Sequence, residues 1–111
     1  MKAVESFLVY ITMPLECAAV NMAEALVDSG LCAGLNILGP GVSVYSWQGK
    51  TRKAGEWIAI AQVAAKNFPA FREALEKMHP HVAPCVVALP IEEGNEFFLK
   101  WILNPANSGA E

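Results

Sequence analysis

Charge is what this chain has least of: 17% of its 111 residues are Asp, Glu, Lys or Arg, against about 25% in an average soluble domain. No run of lysines or arginines longer than Arg52-Lys53 occurs, and the net charge is −3. Nucleic acid is therefore excluded as the expected partner, because phosphate neutralisation needs a basic patch. Cysteine is scarce as well. Cys17, Cys32 and Cys85 are odd in number, widely spaced and without a C-x-x-C pair. That pattern fits a reducing, intracellular compartment better than a secreted disulfide framework. No apolar stretch approaches the ~20 residues of a membrane span. The opening Met1-Lys2-Ala3-Val4-Glu5-Ser6 leads into only a short apolar run before Thr12 and Pro14, unlike a signal peptide, so the cytoplasm is the expected location. Also missing are a G-x-S-x-G elbow, an H-E-x-x-H pair and a Walker-type glycine loop, which removes the common hydrolase and nucleotide signatures.

What is abundant is apolar surface, 54% of residues. A 111-residue chain is expected to form one domain with one core, its tail from about 104 to 111 frayed. A small monomer with so few charges exposes apolar patches, and such patches mark interfaces. Ser6 to Met13 reads as a short, doubly covered β-strand. From Glu16 to Ser29, Ala19, Met22, Ala23 and Leu26 recur at i, i+3, i+4 and i+7, a helical stripe, and Gly30 supplies the left-handed stop. Asn67-Phe68-Pro69 opens a second helix, with Phe68, Phe71, Leu75 and Met78 on one side. It ends before His79-Pro80. Cys85 to Leu89 is a strand, and Asn95 caps a last helix carrying Phe97, Phe98, Trp101 and Ile102.

Between the first two helices lies an outsized β-hairpin, Leu35 to Val63. Its outgoing arm, counted from Cys32 to Gln48, would span roughly 55 Å, more than one small domain covers. Gly39-Pro40-Gly41 is the expected bend, and a Gly-X pair at Gly49-Lys50 the expected tight turn. Val42 and Val44 face one way, Tyr45 and Trp47 the other; on the return, Trp57, Ala59, Ala61 and Val63 oppose Ile58 and Ile60. Both faces are apolar, so one needs covering by a neighbouring copy. The resulting order, β-α-β-β-α-β plus a C-terminal helix, is the α+β, ferredoxin-like sandwich with a long protruding hairpin.

Donor groups are densest in His79-Pro80-His81-Val82-Ala83-Pro84-Cys85. Two imidazoles at i, i+2 in an extended segment point to one side, and a thiolate four residues on joins a set that suits copper or zinc. The spacing matches no closed zinc motif, and the alternative is a helix-capping His79, a solvated His81 and a core Cys85. Tyr45 and Trp47 form an aromatic face beside Lys50, fit for a ligand cleft or an interface. Glu92-Glu93 precedes a helix start, where the dipole favours carboxylates; Glu92 stays a candidate ligand.

Four segments, Ala25-Leu26 through Leu31-Cys32-Ala33-Gly34-Leu35-Asn36-Ile37, then Tyr45-Ser46-Trp47-Gln48-Gly49-Lys50, then His79-Pro80-His81, then Ala88-Leu89-Pro90-Ile91-Glu92-Glu93-Gly94-Asn95 with Trp101-Ile102, resemble the CutA divalent-cation-tolerance family over about Phe7 to Ile102. The resemblance implies a tight homotrimer shaped like the PII-type signalling proteins, with long strands reaching to neighbouring copies. It further implies a non-enzymatic role in tolerance of copper and other divalent cations, with no obligatory cofactor. It also implies a copper-ligating cysteine where this chain has Gly34. The nearest thiol is Cys32, on the same strand face if the segment is regular. The chain departs further at His81 and Val82, where the family tends to an aromatic and an acidic residue, at Cys85, usually glutamate, and at Gln62-Val63, usually Lys-Thr. The metal candidates are accordingly His79, His81 and Cys85, with Cys32 as an outlier. The alternative function is a small-molecule sensor with inter-subunit clefts beside Tyr45, Trp47 and Lys50.

Overall fold

A computed structural model describes residues 3–13, 16–78 and 85–107. Seven elements follow in order: β1 (Ser6–Met13), α1 (Glu16–Asp28), β2 (Gly34–Trp47), β3 (Lys50–Ala64), α2 (Phe68–Met78), β4 (Val86–Pro90) and α3 (Glu96–Leu103). The strands form one antiparallel sheet in the order β2-β3-β1-β4, the ferredoxin-like arrangement expected from the element order.

The register writes the two faces of the sheet as rows. Leu35, Ala61, Val9 and Ala88 stand side by side, as do Ile37, Ala59, Ile11 and Val86. This is the core face. Ala19, Met22 and Leu26 of α1 and Phe71 and Leu75 of α2 are buried against it, the residues their periodicity singles out. Met78, assigned to the same stripe as Phe71, is instead exposed at the last turn. Phe7, Phe68 and Phe71 extend the cluster through edge and stacked ring contacts. On the reverse face the rows read Gly34, Gln62, Leu8 and Leu89, then Asn36, Ile60, Tyr10 and Val87. Among the described residues only α3 lies over this side, at the Gly34 end. Leu8, Tyr10, Leu38, Val87 and Leu89 stay exposed. β1 is therefore covered on one face, not two.

α1 stops as Gly30 dictates. Gly30 sits at φ 79°; its N–H donates to the carbonyl of Val27, and the Leu31 N–H reaches back to Leu26, the paired bonds of a Schellman end. At α3, Asn95 occupies the N-cap position with extended backbone but makes no side-chain cap bond. The strand expected from Cys85 begins one residue later. Within the tail expected to fray, Pro105–Asn107 form a 3-10 turn.

The hairpin departs from its expected turn in one respect. The two-residue loop is Gln48-Gly49, both at positive φ (51° and 78°), with Trp47 pairing Lys50. That is the primed turn whose twist matches the strands, and its first residue is Gln48 rather than Gly49. The bend falls where Gly39-Pro40-Gly41 places it: Leu38 pairs Ile58, but Gly41 pairs Glu56. One extra residue in β2 reverses the parity of everything beyond it. Ile37 faces the core before the bulge; after it, Val42 and Val44 continue that face while Tyr45 and Trp47 continue the open one. The hairpin stretches the chain to 46 × 33 × 23 Å with a radius of gyration of 14.9 Å, against about 13 Å for a compact chain of this length.

Candidate functional site

Three regions hold the residues singled out from sequence, and each is built by a different part of the sheet. The first is the start of β4. Cys85 precedes the point where Val86 pairs Ile11, so alternation puts it on the open face beside Thr12, next to Ile58. Glu56 lies two residues from Ile58 on that same side. Partial burial and then the Glu56 carboxylate push the Cys85 thiol above its ordinary value, which fits this placement. Periodicity could not single Glu56 out, since it is far from Cys85 in sequence and comes within electrostatic reach of it only through strand pairing. His79 and His81 lie outside the described residues.

The second region is the start of β2. Cys32 does not share a face with Gly34. The ladder begins only at Gly34, the Ala33 N–H donates to the carbonyl of Gln62, and Cys32 turns inward to join Val9, Leu26 and Val63 in the core, 4% exposed. Burial lifts its thiol to about 11. The expectation of a regular strand from Cys32 to Gly34 is corrected accordingly. Nor does Cys32 meet Cys85. They stand on opposite faces, and six positions of β3 separate Ala64, level with Cys32, from Ile58, roughly 20 Å. On the open side of Gly34, Gln62 Nε2 donates to Asn36 Oδ1 at 2.9 Å, and the Trp101 ring closes the corner. Gln62 is 7% exposed, and its Nε2 also reaches the Ile60 carbonyl at 3.5 Å.

The third region is the hairpin tip. Tyr45 pairs Arg52 and Trp47 pairs Lys50, so two aromatic rings and two cations share one face. Tyr45 and Trp47 are 41% and 51% exposed. Glu92 is exposed in the loop after β4, beside the start of β1, where the Ile91 N–H donates to Ser6. The tip and Glu92 thus lie at opposite ends of the sheet, and one chain cannot bring them together. Among the described residues, no three His, Cys, Asp or Glu side chains converge as a metal-binding group. A cavity of about 10 Å³ between sheet and helices, at the lower limit for one water, is lined by apolar side chains, among them Ile11, Met22, Leu26, Leu35 and Leu75. No helix among the described residues is long and apolar enough to cross a membrane.

This geometry has known counterparts. Residues 7–105 match the family model described as CutA1 divalent ion tolerance protein. The divalent-cation tolerance protein CutA of Thermus thermophilus is 38% identical over 94 residues, covering 85% of this chain and 91% of its own length. Its solved structure superposes with a TM-score of 0.85 over 87% of this chain and 94% of that one. A structure described as the periplasmic divalent cation tolerance protein CutA from Archaeoglobus fulgidus matches with TM-score 0.83 at 35% identity, over 87% and 94% of the two chains. The chloroplastic protein CutA of Arabidopsis thaliana is 35% identical over 93% of this chain, which spans 57% of the plant protein.

Proposed function

Because the chain belongs to the CutA1 divalent ion tolerance family, we propose that it acts in divalent-cation tolerance as a homotrimeric binding or regulatory protein rather than as an enzyme. The observation that supports association is the open sheet face, and the number three is what the family resemblance implies: Leu8, Tyr10, Leu38, Val87 and Leu89 form one exposed apolar surface continuous with the aromatic side of the hairpin. A surface of that composition is stable in water when another copy covers it.

The cation is read as substrate, taken at the start of β4. Cys85 supplies a thiol on the open face, Glu56 a carboxylate on the same face, and His79 and His81 stand six and four residues before Cys85 in the chain. Thiolate with imidazole suits copper or zinc. Cys32 is left out of this set, since it is a core residue on the other face. Titration of copper and zinc into the reduced protein tests the site. A His79→Ala/His81→Ala/Cys85→Ser variant is expected to lose at least tenfold in affinity; equal affinity in both proteins would rule the cluster out. Three cysteines without a close pair support a reducing compartment such as the cytoplasm.

A second reading is favoured by the hairpin tip. Trp47, Tyr45, Lys50 and Arg52 on one face suit a small-molecule ligand held in a cleft between copies, with Glu92 contributed by a neighbour. Ligand-dependent thermal shifts that disappear in Lys50→Ala would support it, and shifts unchanged in that variant would remove it.

A further inference from the structure

The family resemblance places a copper-ligating cysteine at position 34, and the start of β2 in this chain does not fit that role. Gly34 has no side chain, and the space a side chain would enter is taken. An ideal Cβ there would lie 3.0 Å from Gln62 Oε1 and 3.0 Å from Trp101 Cη2, with Trp101 Cζ2 at 3.7 Å. Few real Cβ atoms come so close to a neighbour, so Gly34 is the seat on which the indole of α3 rests. The polar groups nearby are the side chains of Gln62 and Asn36, joined by the bond from Gln62 Nε2 to Asn36 Oδ1. They are neutral amides, poor donors for a soft cation. Cys32, the nearest thiol in sequence, is turned into the core with Val9, Leu26 and Val63.

We infer that the start of β2 is a closed packing corner that docks α3 onto the sheet, and that this chain takes no copper there. The corner is organised to exclude a ligand: glycine where a thiol would be, an indole over it, and the neighbouring thiol on the wrong face. Any copper this protein binds is held elsewhere. This inference goes beyond the proposed cation role and can fail or stand independently of it.

Two measurements on the reduced protein test it. In the first, the folded wild type is alkylated with iodoacetamide, with and without Cu(I), and labelled cysteines are mapped by peptide mass. Cys32 is expected to label slowly and at the same rate in both; rapid labelling that Cu(I) suppresses would overturn the inference. In the second, Cu(I) is titrated against a Cu(I)-selective chelator into wild type and Cys32→Ala. The affinities are expected to agree within twofold, and a tenfold loss in Cys32→Ala would overturn the inference. Absence of copper binding in both proteins supports the closed corner and counts against the cation role at the start of β4. Should Cys32→Ala fail to fold, the alkylation result on the wild type decides. Gly34→Ala reads the packing half: its Cβ must push Trp101 aside, so a lowered Tm and a shifted tryptophan emission are expected. An unchanged Tm and emission would show that the corner is not tight.

Discussion

Cys32 and Gly34 are two residues apart and do opposite jobs, one filling the core and the other making room for an indole. Burial holds the folded Cys32 thiol at about 11, against an ordinary 9.0. Below pH 9 the thiol is protonated whether the chain is folded or not, so stability does not depend on it. Between about pH 9 and pH 11 the unfolded thiol ionises while the folded one does not, and stability falls as pH rises. Denaturant unfolding across that range is expected to show the decline in wild type and a shallower one in Cys32→Ala; equal slopes would contradict the assignment. Which residues enter the core was legible where periodicity is strong, as at Ala19, Met22, Leu26, Phe71 and Leu75. The inward turn of Cys32 was not, because it depends on where the ladder starts, and a single strand carries no mark of its partner. The electrostatic reach of Glu56 to Cys85 was hidden for the same reason. Exposed pairs such as Lys100 with Glu96, 2.7 Å apart, contribute little to any of this.

At the scale of elements the hairpin governs the rest. Its strands owe their length to β-branched and aromatic residues, and its two apolar faces are kept in phase with the sheet by a single bulge. Gly39 is held under Trp57, where an added Cβ would come within 2.6 Å of the ring at a φ of 156°. Gly39→Ala is therefore expected to destabilise the protein by more than ~1 kcal/mol, measured by denaturant unfolding; a neutral outcome would mean that the bulge is not held by that contact. The turn offers a change of opposite sign. Gln48 occupies the left-handed region that asparagine tolerates better, so Gln48→Asn is expected to stabilise by up to about 1 kcal/mol and to raise the Tm. A lowered Tm would show that the Gln48 side chain does more than turn the chain. The bend at Gly39-Pro40-Gly41 and the apolar faces were readable from residue types. Which of Gln48 and Gly49 leads the turn was not, since either glycine position makes a two-residue loop and only the pairing of Trp47 with Lys50 decides.

At the scale of the molecule, the sheet has helices over one face and, in one chain, bare apolar side chains over most of the other. Composition announced this imbalance, and the family resemblance proposed what fills it. The rows Leu8 with Leu89 and Tyr10 with Val87 give the imbalance a location. Everything in the functional reading depends on that face being covered by other copies: the clefts at the hairpin tip, the meeting of Tyr45, Trp47 and Lys50 with Glu92, and the setting of Cys85 and Glu56. Sedimentation equilibrium of the wild type at low micromolar concentration, alongside a Leu89→Glu variant that puts charge on the β4 edge of the face, tests this most directly. The expected result is three times the 12.0 kDa of one chain for the wild type and a shift toward single chains in Leu89→Glu; a wild type that sediments as a single chain would contradict the account.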